Sequence, residues 1–253
     1  AKDRRVTIPL LLGIAYAANV GGLGTPIGTT PNLVFIEQYT EFSKKEFTFS
    51  DWMRHGLPVV FCMVPLIWLW LTRGLKDAPP LTLPKVGDWR KEEIRTLIIF
   101  FLTALAWATR REPFGGWSSF MGLPNANDAS VAFLSVVLLF CVPNGMGEGK
   151  KLLDWETAVK IPWGLLLLFG GGIAIASAFK SSGLSEIVAN LLTGLQNVPV
   201  LVLIFCICLV VTFLTEMTSN TATTILLMPI LGSAALAADI NPAILMLPAV
   251  LSA

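Results

Sequence analysis

Charged residues are scarce in this sequence. Only 14% of its 253 residues are Asp, Glu, Lys or Arg, whereas 54% are apolar. Because soluble domains carry about 25% charged residues, this composition excludes an ordinary soluble domain. It predicts an integral membrane protein that contacts the lipid bilayer and crosses it several times. The net charge of +1 indicates nothing about partners, and we expect no nucleic acid among them.

Residues that commonly carry catalysis are also rare. His55 is the only histidine, and its position beside a predicted helix entrance favours a surface or interfacial role over a proton relay. The four cysteines lie in apolar runs without the spacing of a metal site. The sequence shows no nucleophile with a base and no nucleotide-binding loop. We therefore predict that the protein is not an enzyme and uses no organic cofactor.

A polar stretch interrupts the apolar C-terminal part of the chain. Residues 215–224 (TEMTSNTATT) follow an uncharged run at 198–214. At membrane depth, irregular backbone is tolerated only where it is buried in protein or lines a cavity. We therefore predict a helical hairpin that enters the membrane at 198–214, turns at this stretch and returns at 222–235. The alternative is a simple helix N-cap at Ser219-Asn220-Thr221.

A second break follows the first apolar run. Residues 6–20 are shorter than the roughly 20 residues that a span needs. The glycines and two prolines of residues 21–32 (GGLGTPIGTTPN) then interrupt the helix, which resumes at Leu33. This pattern predicts a discontinuous transmembrane helix, in which free carbonyls hold cations and half-helix N-termini face anions. An ordinary loop between two short helices is the alternative.

Other apolar runs predict further spans. The distribution of lysine and arginine on alternate sides puts residues 1–5 in the cytoplasm. Predicted spans lie at 57–72, 94–109, 129–143 and 161–179, interfacial segments at 41–56 and 183–196, and a last apolar helix begins at 243.

Neither break offers a basic side chain. The sequence has no Lys or Arg between Arg5 and Lys44, and none after Lys180. Hydroxyls, amides and free backbone groups suit either a small hard cation or an anion at helix N-termini. A bound cation would favour an anion here by neutralising its charge. Glu216 could bind an ion, form structural hydrogen bonds or face water.

These two breaks resemble a known family. Residues 215–223 resemble the Ser-Asn-Thr signature of the divalent anion:sodium symporters, which carry dicarboxylates, citrate or sulfate. Residues 21–32 are similar to that family's unwound loop, and residues 163–172 also match it. The resemblance implies an all-α polytopic membrane protein. It would be an inverted-repeat secondary transporter with a re-entrant hairpin and a discontinuous helix.

The resemblance also implies a substrate site. Ser219, Asn220 and Thr221 fall on the family's substrate-binding motif, and Thr29 falls beside the substrate. Thr30 replaces the family's usual first proline, which leaves the fine geometry of the loop open.

Bound sodium is the second implication. Gly28 falls on a sodium ligand of the first break. Thr215, Thr218 and Asn220 fall on sodium ligands of the hairpin tip.

The resemblance divides the chain by function. Transport-domain parts are expected at 1–72 and 198–253, a cytoplasmic linker at 73–92, scaffold spans at 93–179 and an interfacial arm helix at 180–197. The sequence holds one Ser-Asn-Thr hairpin and one unwound loop, whereas the family has two of each. We therefore expect a fragment that does not transport by itself, and robust sodium-dependent succinate uptake by these residues alone would contradict this.

The function implied is sodium-coupled transport of a divalent anion, such as the C4-dicarboxylate succinate, by alternating access. We expect a homodimeric full-length protein in a bacterial inner membrane. A sodium-independent dicarboxylate exchanger, an arsenite-type carrier and a proton-coupled carrier are alternatives. A membrane enzyme or assembly subunit has no motif in its favour.

Overall fold

The regular secondary structure of the described residues is helical, apart from an isolated β-bridge between Pro143 and Lys151. A computed structural model describes residues 4–75, 87–111, 115–147, 149–183, 187 and 198–253. Its contacts divide the chain into two compact units, Ala1–Leu75 with Trp163–Ala253, and Lys76–Pro162. The described residues form helices and no named β-strand, which confirms the all-α prediction.

Eleven helices are defined within these ranges, and two of them, Phe49–Thr72 and Val200–Met217, are long and apolar enough to cross a membrane. Shorter apolar helices occur at Val6–Gly22, Asp128–Cys141 and Asn220–Leu236. In chain order the helices are α1 (Arg4–Gly22), α2 (Thr30–Ser43), α3 (Phe49–Thr72), α4 (Lys91–Ala108), α5 (Gly116–Phe120), α6 (Asp128–Cys141), α7 (Trp155–Ala158), α8 (Trp163–Ser181), α9 (Val200–Met217), α10 (Asn220–Ala237) and α11 (Ala243–Leu251).

The first break is shorter than the predicted residues 21–32. Helix α1 continues through Gly22, and α2 already begins at Thr30, so residues 23–29 alone are not helical. Pro31 lies in the first turn of α2. Proline is tolerated there because a first-turn N–H has no helical acceptor. The prediction that Pro31 excludes helix was therefore wrong.

The predicted interfacial stretch at 41–56 is also divided differently. Helix α3 begins at Phe49, eight residues before the predicted span, and it continues through Pro58 and Pro65. A capping box fixes this start, because the Thr48 hydroxyl accepts from the Asp51 N–H at 3.1 Å and the Asp51 carboxylate accepts from the Thr48 N–H at 2.9 Å.

A helix, a short turn and a second helix form the hairpin region. Only Thr218 and Ser219 separate α9 from α10, and both residues have extended backbone angles. Residues 215–217 and 220–224 of the predicted polar stretch are helical. The Thr215 hydroxyl donates to the Val211 carbonyl at 3.0 Å, so this threonine bonds within the helix instead of ending it.

Helix α8 packs against α10 through a glycine. A Cβ atom on Gly172 would collide with the Ile225 side chain, which explains the close approach at this position. Helix α8 belongs to the same compact unit as α10. That α8 belongs to the scaffold (93–179) during transport stays a prediction. The predicted arm helix at 183–196 lies outside the described residues apart from 183 and 187.

An aromatic cluster supports the start of α3 and the middle of α2. Phe35 and Trp52 are fully buried, with ring centroids 5.5 Å apart. Phe47 packs edge-on against Phe35 at 5.1 Å. Edge-to-face pairs of this kind add about 0.5–1.5 kcal/mol to the hydrophobic term. The cluster holds α2 against the start of α3, next to the first break.

The unit Lys76–Pro162 has its own polar anchor. The Arg110 side chain is 1% exposed and its Nε donates to the Asp128 carboxylate at 2.7 Å. Its Nη1 donates to the Ala126 carbonyl at 2.9 Å, and the Trp107 indole N–H donates to the Asp128 carbonyl at 2.9 Å. These bonds tie the end of α4 to the start of α6.

Candidate binding site at two helix N-termini

Helices α2 and α10 lie side by side and run in the same direction. A Cβ on Gly232 would meet the Phe42 ring, and both residues lie near the C-terminal ends of their helices. Nearer the N-termini, Val34 and Phe35 of α2 share a core cluster with Ile225 and Met228 of α10. Phe42 and Gly232 each lie twelve residues after the first residue of their helices, and the two helices pack along each other. We therefore infer that the α2 N-terminus, which follows the first break, lies at the same end as the α10 N-terminus, which follows the hairpin turn.

Hydroxyl groups close the hairpin turn. The Thr218 and Thr223 hydroxyl oxygens lie 2.6 Å apart across the turn. The Thr218 hydroxyl also lies 2.8 Å from the Leu214 carbonyl, to which it donates. Thr223 and Thr224 are only 3% and 1% exposed, so the far side of the turn is anchored in the protein. Of the predicted sodium ligands, Thr215 lies in the last turn of α9, and Thr218 directly follows this helix.

Free backbone N–H groups occur at the start of α10. Its first helical bond runs from the Thr223 N–H to the Ser219 carbonyl at 2.9 Å. The N–H groups of Asn220, Thr221 and Ala222 therefore precede the helical ladder. Ser219 is exposed and its side chain makes no capping bond. This end of the helix has the donors and the partial positive charge that attract an anion.

The first break presents a similar helix start. Thr29 is the N-cap of α2, with extended backbone and no capping bond from its side chain. Gly28 lies directly against Gly22, because a Cβ on Gly28 would collide with the Gly22 carbonyl. The predicted residues Gly28 and Thr29 thus lie at the α2 N-terminus, whereas Ser219, Asn220 and Thr221 lie at the α10 N-terminus.

Two residues outside the predicted site contact the first break. The Asn32 Nδ2 donates to the Gly22 carbonyl at 3.0 Å and to the Thr25 carbonyl at 2.9 Å. The Trp52 Nε1 donates to the Leu23 carbonyl at 2.8 Å. The local signal for Asn32 was an amide at the last position of the predicted break 21–32, whereas Trp52 lies on another helix and had no local signal.

Neutral groups dominate the chemistry at both helix starts. The residues from 20 to 32 and from 217 to 224 include no ionisable side chain. Glu216 is exposed in the last turn of α9. Among the described residues, no cluster of His, Cys, Asp or Glu could hold a metal ion. Any cation here would therefore bind neutral oxygens of hydroxyl, amide and backbone groups. Hard cations accept such oxygen ligands.

The described residues thus form a helical structure with neutral polar groups at two helix starts, and comparison with known proteins identifies the family. The citrate transporter family matches residues 1–250, and the chain belongs to this family. Members of the family are transporters, so the prediction that the protein is not an enzyme is confirmed.

Two relatives carry more specific names. The sodium-dependent dicarboxylate transporter SdcS of Staphylococcus saprophyticus is 36% identical over 256 residues, covering 96% of this chain and 49% of the relative. SdcS of Staphylococcus aureus strain NCTC 8325 is 35% identical with the same coverage. The chain thus spans about half the length of these relatives.

Proposed function

We propose that this chain forms part of a secondary active carrier that moves a dicarboxylate together with sodium. The observation that carries this proposal is the parallel packing of α2 and α10, which puts two polar helix starts at one end of the same helix pair. Neither start has a basic side chain. The names of the SdcS relatives support sodium and a dicarboxylate as the transported pair.

The roles of the site residues follow from the two helix starts. Ser219, Asn220 and Thr221 bind one substrate carboxylate through side chains and through the free N–H groups of α10. Thr29 contacts the substrate from the other helix start. The sodium ligands are the Gly28 carbonyl at the first break and oxygens of Thr215, Thr218 and Asn220 at the hairpin turn.

Sodium is needed because the substrate carries two negative charges and the protein site has no positively charged side chain to balance them. In a low-dielectric site, an unpaired carboxylate loses hydration that dipoles alone replace only in part. A nearby sodium ion offsets that charge. Binding of the anion therefore depends on binding of the cation, and this dependence couples their movement across the membrane.

The remaining features of the proposal concern the whole carrier. The hairpin α9–α10 is re-entrant, and the transport domain (1–72 and 198–253) moves against the scaffold (93–179) to give alternating access. Succinate is the model C4 substrate. A second, inverted repeat supplies the other halves of the site, so the 253 residues function as part of a longer homodimeric protein in a bacterial inner membrane.

Uptake in proteoliposomes tests this function. The full-length protein should accumulate labelled succinate when an inward sodium gradient is applied, and excess unlabelled dicarboxylate should compete. Replacing external sodium with choline should abolish accumulation. Equal uptake in sodium and choline would contradict sodium coupling and favour an exchanger, whereas a response to a proton gradient alone would indicate a proton-coupled carrier.

A further inference from the structure

Two buried side chains hold the unwound segment 23–29 in a fixed shape. We propose that Asn32 and Trp52 are positioning residues, which set this segment for sodium before the ion arrives. The inference rests on the proposed function, because it concerns the same sodium site. It adds two residues that do not themselves touch sodium or substrate.

The need for such residues follows from the break itself. At the end of α1, turn bonds from the Leu23 and Gly24 N–H groups reach the Val20 and Gly21 carbonyls, whereas the next two carbonyls, of Gly22 and Leu23, accept from side chains. Within an apolar protein, each unsatisfied carbonyl is unfavourable. Asn32 supplies donors to the Gly22 and Thr25 carbonyls, and Trp52 supplies one to the Leu23 carbonyl. Three carbonyls of this short region are thereby held by side chains from α2 and α3.

These bonds reach the proposed ion ligand through one contact. Asn32 holds the Gly22 carbonyl at 3.0 Å, and Gly28 lies directly against this same carbonyl. The Gly28 N–H in turn donates to the Thr25 carbonyl at 3.1 Å, the second acceptor of Asn32. Moving Asn32 would therefore move both supports of Gly28. Ligands that are held in place before binding lose less conformational freedom when the ion binds.

Burial makes the two side chains rigid supports. Asn32 and Trp52 are both 0% exposed. Within the described residues the Asn32 Oδ1 is buried without a hydrogen-bond partner, so the two donor bonds alone set the orientation of this amide. The Trp52 ring packs on Phe35 and Phe47, with centroids at 5.5 and 6.4 Å. A phenylalanine at position 52 would keep an aromatic ring against Phe35 and Phe47 and lose the N–H donor, together with part of the indole volume.

The test uses Asn32→Leu and Trp52→Phe in the full-length protein. Gln38→Met is the matched control, because Gln38 is a buried amide on the same helix whose Oε1 has no partner in the described residues. The sodium concentration for half-maximal succinate uptake should rise about 3-fold or more in Trp52→Phe and further in Asn32→Leu, since each lost hydrogen bond changes an equilibrium by roughly 2- to 12-fold. Gln38→Met should keep the wild-type value.

Two readouts separate positioning from a general loss of stability. Hydrogen exchange of residues 23–29 should become faster in both variants, and saturating sodium should restore most of the wild-type maximal rate in Trp52→Phe. An unchanged sodium requirement in Trp52→Phe, or an equal rise in Gln38→Met, would overturn the inference. If the wild-type protein shows no sodium dependence at all, the proposed function fails, while the exchange measurement still tests whether the two residues hold the segment.

Discussion

The hydroxyl oxygens of Thr218 and Thr223 lie 2.6 Å apart and bridge the two-residue turn between α9 and α10. Thr218 ends one helix and Thr223 lies in the first turns of the next. This bond therefore sets the width of the turn at which Ser219 and Asn220 are presented. The Thr218 hydroxyl, a proposed sodium ligand, is also oriented by it.

Thr223→Val should weaken the site without unfolding the hairpin. Valine keeps the shape of threonine but loses the hydroxyl, so the Thr218 hydroxyl loses its contact with Thr223, at a cost of about 1 kcal/mol, and keeps only its bond to the Leu214 carbonyl. The half-saturating sodium concentration should rise about 5-fold, since 1 kcal/mol corresponds to that factor. Thr40→Val is the matched control, because the Thr40 hydroxyl donates to the Ile36 carbonyl within α2. A larger effect of the control on sodium would contradict the role of the bridge.

Gly28→Ala should displace the backbone of the first break and weaken sodium-dependent uptake. The added Cβ would overlap the Gly22 carbonyl, which is backbone and cannot move aside without displacing the end of α1. Such overpacking costs about 1–3 kcal/mol, and sodium-dependent uptake should fall at least about fivefold. Gly21→Ala is the control within the same region, because a Cβ there meets no atom within 4 Å. Uptake by Gly28→Ala equal to that of Gly21→Ala would contradict the close approach.

The sequence predicted that both breaks exist but not where they end. Glycine and proline predicted the first break, and a polar island predicted the hairpin turn. The boundaries were wrong because Pro31 fits a first helical turn and because Thr215 bonds to a carbonyl of its own helix. Local composition indicates that a helix is interrupted. The exact first and last helical residues depend on capping and on side-chain hydrogen bonds, which composition does not show.

Contacts between distant residues could not be predicted from a single sequence. The parallel packing of α2 on α10 depends on Phe42 meeting Gly232, and nothing local in either helix indicates that pair. Trp52 is likewise 29 positions away from the Leu23 carbonyl that it binds. The roles of Thr29, Ser219 and the other site residues follow from family resemblance and stay predictions.

Arg110→Met should destabilise the unit Lys76–Pro162. The substitution leaves the Ala126 carbonyl and the partly buried Asp128 carboxylate without the Arg110 donors. Loss of one partner from a buried pair costs several kcal/mol, and because Asp128 is 34% exposed we expect about 2 kcal/mol. Thermal unfolding in detergent measures this. Arg90→Gln removes only exposed ion pairs, to Glu92 and Glu93, and keeps the backbone N–H that donates to Glu93, so it should leave the transition nearly unchanged at neutral pH. Equal losses in both variants would contradict the account.

The start of α4 should lose stability in acid through Glu93. The Arg90 backbone N–H at 3.0 Å and then its guanidinium at 2.8 Å lower the pKa of the Glu93 carboxyl. This stabilisation is present above the ordinary glutamate pKa of about 4.3 and is lost as pH falls through the lower folded value. Unfolding temperatures of wild type and Glu93→Gln should therefore converge below that pH. A difference that persists in acid would contradict this, and Glu156→Gln controls for the lost charge.

The central claim is that a site without basic side chains holds a dianion only when sodium is bound. Titration calorimetry of succinate into the purified full-length protein, with sodium or with N-methylglucamine at equal ionic strength, tests it most directly. The account predicts that the succinate Kd in sodium is at least tenfold lower, and that Asn220→Ala, which removes a shared ligand, reduces this difference. Equal Kd values with and without sodium in the wild-type protein would contradict the account.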